Sequence, residues 1–180
     1  SLFSIINDTT ANTEISVKNL EASDNIINYI IRTMGWCGYK KVINGIETIG
    51  YRNTTTADLE SDGLTEDQAY TIWIGYFKDQ ERKFKRLLPI DSMSQSQYDG
   101  LLSLFWFTKS IDQLGTTERQ FRILDFIREK RWDYLCSAMI LGGENRTIRQ
   151  AESKIIMLAD YGQYKDRSLI KEQGIQQLVK

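Results

Sequence analysis

Moving a proton onto or off a reacting oxygen needs a titratable side chain beside the bond, and this sequence narrows the candidates. It contains no histidine, which removes the commonest general base and every Ser-His or Cys-His triad. Carboxylates remain, in two places. Glu47 stands beside Thr48 in a short β-type run, and Asp58, Glu60 and Asp62 form an acidic stretch. Neighbours on a strand point to opposite faces, so Glu47 reads as a solvated strand residue and not as a partner of Thr48. The acidic stretch reads as solvated charge, or as negative charge near a helix N-terminus. It lacks the ligand and glycine pattern of a calcium loop. Cys37 and Cys136 lie far apart. Two buried free thiols is the plainer reading and a disulfide the other. With no Cys or His cluster, neither a metal nor a cofactor is expected.

Binding chemistry is equally bounded. A net charge of -1 gives no electrostatic case for nucleic acid or an anionic membrane. No run approaches the ~18 apolar residues of a membrane span, and Ser1 to Asp8 lacks the pattern of a signal peptide. Trp73, Tyr76, Phe105, Trp106 and Phe107 would suit a sugar platform, but at helical spacing they read as core. The basic run Lys78, Arg82, Lys83, Lys85 and Arg86 is interleaved with Asp79 and Glu81, which marks a solvated helix face and not a phosphate site.

The elements that position these residues follow from periodicity. Ile26, Ile27, Ile30 and Ile31 repeat on one helical face, with Asp24 as expected cap and Gly35 as stop. Asn44-Gly45 between Lys41-Val42-Ile43 and Ile46-Glu47-Thr48-Ile49 is a hairpin signal, because both turn positions need positive φ. Arg52 to Gly63 reads as loop. Thr65-Glu66-Asp67-Gln68, Ser94-Gln95-Ser96-Gln97 and Thr117-Glu118-Arg119-Gln120 are capping boxes, each opening a helix. The helix after Ser94 is apolar nearly all round, so it is expected at the buried centre. Further helices are expected from Trp132 to Leu141, stopping at Gly142, and after Asn145 as cap. The whole reads as α+β, mostly α. Residues 1–18 read as an arm, 19–164 as one domain and 165–180 as a polar tail.

In that order, several strings resemble phage-type lysozymes of glycoside hydrolase family 24, over about Asn25 to Gly162. They are Tyr39 with Gly45 and Thr48-Ile49-Gly50-Tyr51, Leu64 to Ala69, Leu88-Pro89, Tyr98 to Phe105, and Arg146, Arg149, Ala151 and Glu152. The resemblance implies a lysozyme-like fold with a small N-terminal hairpin region and a helical lobe. It also implies where the chemistry would stand. Glycoside hydrolysis needs one carboxylic acid and a second carboxylate. The position of the family's acid, before the glycine ending the first helix, is Met34. That of its second carboxylate is Lys41. Thr48 matches the family's threonine, and Arg52-Asn53 replaces a Gly-His pair. Methionine has no proton to give, and a hydroxyl alone supplies neither acid nor base near neutral pH.

The expectation is therefore a degenerate, non-catalytic interaction protein, most simply a bacteriophage virion component of tail or baseplate, made in the host cytoplasm. Its partners would be other virion or assembly proteins. The alternative is a peptidoglycan binder, or a cell-wall-degrading muramidase with relocated catalytic groups. For docking, the arm offers Leu2, Phe3, Ile5 and Ile6 in a polar context; the opposing reading folds both chain ends back on their own domain. Trp36 with Met34 would make an apolar patch at the former cleft if exposed, against plain packing at a helix end.

Overall fold

The computed structural model describes residues 13–109, 111, 117–142 and 145–162, the side chains of 117–122 excepted. Among them are seven α-helices and two two-stranded antiparallel sheets, the expected α+β, mostly α architecture. Leu2, Phe3, Ile5 and Ile6, the tail, and the side chains of the third capping box lie outside the described residues.

The chain enters through β1 (Ile15–Ser16), which pairs with β4 (Ser92–Met93). A 3-10 turn over Val17–Asn19 follows, and Val17 donates its N–H to the Asp91 carbonyl at 2.8 Å. Residues 13–18 are thus tied to the domain, where a loose arm was expected. Ile15, Val17 and Leu20 supply the apolar side chains that hold them, and Leu20 is fully buried.

Helix α1 (Asp24–Met34) buries its isoleucine stripe. Its cap is Ser23, one residue before the expected Asp24. The Ser23 hydroxyl accepts from the Ile26 N–H at 3.2 Å, and Asp24 instead opens the first turn, where its charge suits the helix dipole. Gly35, at φ 77°, ends the helix. Strands β2 (Cys37–Ile43) and β3 (Ile46–Gly50) form the predicted hairpin. Asn44 and Gly45 both have positive φ, and Ile43 faces Ile46, Val42 faces Glu47 and Lys41 faces Thr48. The stretch read as loop holds a four-residue helix, α2 (Thr56–Leu59), capped by Thr55.

Helix α3 (Glu66–Leu87) runs 22 residues and starts from the Thr65/Gln68 box, both bonds of which are made. It joins the hairpin to the helical lobe. At one end Ala69 packs on Gly50 of β3 so closely that a Cβ there would lie 3.0 Å from the Ala69 Cβ. At the other, Phe84 packs on Tyr98 and Phe105 at 5.2 and 5.7 Å between ring centroids. Between them Gly75 faces open space.

Helix α4 (Gln95–Thr108) starts from the complete Ser94/Gln97 box and buries every residue from Tyr98 to Phe105. It is the expected central helix. Around it lie α5 (Thr117–Arg128), α6 (Trp132–Leu141) and α7 (Arg146–Leu158). Gly100 lets α4 and α7 touch: a Cβ there would meet Ile156 Cγ1 at 2.4 Å and the Glu152 carbonyl at 3.1 Å. Asn145 does stand at the N-cap of α7, but in the left-handed region and with no side-chain capping bond. Among the described residues no helix is long and apolar enough to cross a membrane.

Candidate functional site: the cleft between hairpin and helical lobe

A cleft of about 630 Å³ opens where the end of α1, the chain after β3, the middle of α3 and the end of α4 converge. Met34 comes from the first, Tyr51 to Thr55 from the second, Trp73, Tyr76 and Gln80 from the third, and Trp106, Phe107 and Lys109 from the last. Aromatic faces form much of the wall. The Trp73 and Trp106 rings meet edge to face at 5.6 Å, and Trp106 donates its indole N–H to Met34 Sδ at 3.3 Å. The aromatic set read as core is therefore divided. Phe105 is core; Trp73 is buried yet lines the cleft; Tyr76, Trp106 and Phe107 line it while partly or largely exposed. Helical spacing shows that a stripe is buried, not against what.

Of the three positions the resemblance assigned to chemistry, one lines the cleft. Met34 is buried at its floor. Thr48 is buried, but its hydroxyl donates back to the Lys41 carbonyl at 3.2 Å. Lys41 is exposed on β2. Trp36 is exposed, packs over Gly38 and is absent from the cleft wall, so no Met34–Trp36 patch forms there. Glu47 points away from Thr48 into solvent, near Lys40 at 3.9 Å, a surface pair of little energetic weight. Cys37 is half-buried and Cys136 buried, both free.

Of the cleft's two cations the sequence marked Arg52 only as a departure from a Gly-His pair, and Lys109 not at all. Arg52 follows β3 at φ 59°, in a tight reversal closed by paired backbone bonds between Ile49 and Asn53 at 3.0 and 2.8 Å. Its Nε donates to the Met34 carbonyl at 3.1 Å. Lys109 caps α4 at φ 60° and lays its ammonium 3.6 Å from the centre of the Trp106 ring. Burial lowers its pKa. The one sequence signal was a lysine directly after an apolar helix, where a cation suits the C-terminal dipole.

No carboxylate lines the cleft among the described residues. Two stand directly behind it. Tyr51 donates its hydroxyl to Glu66 Oε1 at 2.7 Å, and Tyr76 donates to Asp58 Oδ2 at 3.3 Å. A phenol that has given its hydrogen to a carboxylate keeps oxygen lone pairs for another donor.

Other buried carboxylates belong to the helical lobe. Asp99 accepts from the Ser23 N–H at 3.2 Å, Gln95 at 2.9 Å and Tyr161 at 2.5 Å, and from the Ser23 hydroxyl. Burial nonetheless pushes it up to about 6, with the Ser23, Tyr161 and Gln95 hydrogen bonds opposing. Glu81, on the face of α3 read as solvated, is buried and accepts from the Ala22 N–H and the Tyr98 hydroxyl, both at 2.7 Å. Glu152 accepts from Ser103 at 2.6 Å and approaches Arg149 Nη1 to 3.0 Å without hydrogen-bond alignment. Burial raises the Glu152 carboxyl, and Arg149 pulls it back.

Neither a known family's sequence model nor a curated protein sequence matches the chain. Solved structures do. An endolysin from Escherichia coli O157:H7 phage FAHEc1 superposes with TM-score 0.66 at 15% identity, over 81% of this chain and 98% of that one. The muramidase domain of SpmX from Asticaccaulis excentricus gives 0.60 at 17% identity, over 77% and 99%. The active form of the P1 phage endolysin Lyz gives 0.61 at 15%, over 79% and 88%. At such identities the likeness shows a lysozyme-like fold. It also overturns the expectation of a non-enzyme. That expectation rested on Met34 and Lys41, which say only where an acid and a second carboxylate do not stand. The solved proteins that share the fold are endolysins and a muramidase domain.

Proposed function

We propose that the cleft takes up the glycan strand of peptidoglycan and that the chain is a cell-wall-degrading muramidase with its proton-transfer groups relocated from positions 34 and 41. The observation that carries this is the cleft wall itself. Partly exposed aromatic side chains of Tyr76, Trp106 and Phe107 share it with the polar side chains of Arg52, Thr54 and Gln80. Apolar surface with a few placed polar groups is how ligand clefts orient what they bind. A sugar ring offers the matching surface: C–H faces on one side, hydroxyl and acetamido groups around its edge.

The relocated groups are the two carboxylates bonded to cleft-lining phenols, Asp58 behind Tyr76 and Glu66 behind Tyr51. Glycoside hydrolysis divides its work between a proton donor and a second carboxylate, and these are the carboxylates with a hydrogen-bonded path to the cleft.

The test is incubation of purified peptidoglycan with the full chain, read as sedimentation of protein with the sacculi and as release of reducing ends. Both are expected, with release lowered at least about tenfold in Asp58→Asn or Glu66→Gln while sedimentation persists. Release unchanged in both variants removes the assignment of the groups. Absence of both sedimentation and release removes the reading itself.

A further inference from the structure

The chain enters the fold beside an exposed aromatic surface. Glu14 is fixed at the entry, accepting from Lys130 Nζ at 2.6 Å and from the Ser92 hydroxyl at 3.2 Å. Lys130 stands in the elbow between α5 and α6, at φ 56° and with its N–H donated to the Ile127 carbonyl at 3.0 Å. Four positions to either side of it are Phe126 and Tyr134, whose ring centres lie 5.6 Å apart. Phe126 is half-buried, and Tyr134 is 50% exposed with the Arg131 guanidinium 4.0 Å from its ring centre. The elbow's own cations are met: Arg128 by Asp125 at 2.8 Å, Lys130 by Glu14, and Arg131 by Glu129 at 3.9 Å. What the elbow leaves open is therefore apolar, and no excess of positive charge there selects a polyanion.

The direction of entry points at the elbow. Ile15 faces Met93 and Ser16 faces Ser92 in an antiparallel pair. Followed backwards from Ile15, the chain thus runs along the Ser94 side, away from Asp91 and the exposed Leu87. The residues ahead of Thr13 divide in two. Asn7 to Asn12 form a spacer with no large apolar side chain, and Leu2, Phe3, Ile5 and Ile6 precede it. A six-residue spacer spans up to about 20 Å. Four residues cannot separate Phe126 or Tyr134 from Lys130 by more than about 14 Å, so the spacer is long enough to bring Ile6 to either ring. A segment tethered in this way meets the elbow at an effective concentration on the order of millimolar, an advantage that no separate partner has.

We propose that the segment from Leu2 to Ile6 folds back on its own domain and seats its apolar side chains over Phe126 and Tyr134, as a strap on the α5–α6 elbow with Glu14 as its anchor. Docking takes two sets of apolar side chains out of water at once, and that burial offsets the entropy lost in ordering the segment. The strap also joins the start of the chain to helices far along it, since Glu14 and Lys130 are 116 positions apart. It does not depend on what the cleft binds.

Hydroxyl-radical labelling of the full chain, read residue by residue in its peptides, tests this against the chain carrying Phe3→Asp and Ile6→Asp. Tyr39, 76% exposed on the hairpin, is the internal reference. Relative to it, Tyr134 is expected to label at least about threefold more slowly in the unaltered chain than in the doubly substituted one, as a half-exposed ring becomes a contact. Removal of residues 1–6 should act as the two substitutions do. Should either altered chain unfold, Tyr134→Ser decides from the other side, since labelling of Phe3 should then rise. Equal labelling of Tyr134 in all chains overturns the strap and leaves the segment open to a separate partner. Protection of Tyr134 that grows with protein concentration, alongside a dimer in sedimentation, also overturns it, because the segment then covers a second copy. Phe3 labelling unchanged by Tyr134→Ser overturns the assignment of the elbow.

Discussion

In the helical lobe Asp99 is met by Ser23, Gln95 and Tyr161, and Glu81 by Ala22, Tyr98 and Lys78. Among the described residues the cleft wall holds the cations Arg52 and Lys109 and no carboxylate. The lobe supplies acceptors and donors together, as a core must when burial makes each lone polar atom expensive. The cleft supplies one half of such pairs. One region pairs much of its buried charge internally, and the other leaves two cations facing solvent. The lobe has its own incomplete sites: both polar side-chain atoms of buried Asn28 lack a partner, and where Glu152 meets Arg149, Glu152 Oε1 and Arg149 Nε lack hydrogen bonds.

That contrast can be broken most forcefully at the buried ion pair. Glu152→Gln strands the Arg149 guanidinium, which cannot shed its proton. Burial raises the Glu152 carboxyl to about 8, so the pair is fully charged only above that pH. A loss of about 3–5 kcal/mol is expected in urea unfolding at pH 9 and a smaller one at pH 6. An equal loss at both would mean that the charge on Glu152 is not what holds Arg149. Leu102, fully buried on α4, tests the apolar frame around it. Leu102→Ala should cost about 2–5 kcal/mol through lost transfer energy and the cavity left behind.

Asp99 gives a pH signature with a definite sign. Its folded pKa, about 6, lies above the ordinary 3.8, so between those values the folded state holds the proton more firmly than the unfolded chain. Stability from this group is therefore full at low pH, falls as pH rises through that window, and is flat above it. The fall is about 3 kcal/mol across the shift. Subtracting the stability–pH curve of Asp99→Asn from that of the unaltered protein should isolate this slope; a difference curve rising with pH would reverse the assignment.

The smallest effect is expected in the cleft. Lys109→Met keeps an apolar stem over Trp106 and removes a charge that no carboxylate among the described residues pairs with. Thermal unfolding should shift stability by less than about 0.5 kcal/mol in either direction. A large loss would show that Lys109 serves the fold and not a ligand.

What is legible in the sequence depends on the range of the interaction. Thr65 with Gln68, Ser94 with Gln97, and Asn44 with Gly45 act within three residues, and all three devices form as their residue types demand. The buried centre at Tyr98 to Phe105 was legible because no polar stripe interrupts it. The Asp99 cluster was not, since Ser23 is 76 positions away and Tyr161 62, and nothing local in an aspartate marks it for burial. For the same reason Ser23 caps α1 where Asp24 was expected: it bonds Asp99 and Ile26 together. The cleft was read only through Met34, because a resemblance points to positions where chemistry is expected. It marked Arg52 only as a departure, in place of a Gly-His pair, and is silent about Lys109.

Gly75 lies midway along α3, the rod of 22 residues and about 33 Å that carries the hairpin at one end and packs into the helical lobe at the other. Glycine weakens a helix interior by about 0.5–1 kcal/mol relative to alanine, and here no neighbouring side chain braces it. The softest joint of the rod therefore lies between Trp73 and Tyr76, two of the residues that form the cleft wall. A methyl group added at Gly75 would meet no neighbour, so the helix forgoes alanine's stabilisation at a point beside the cleft wall.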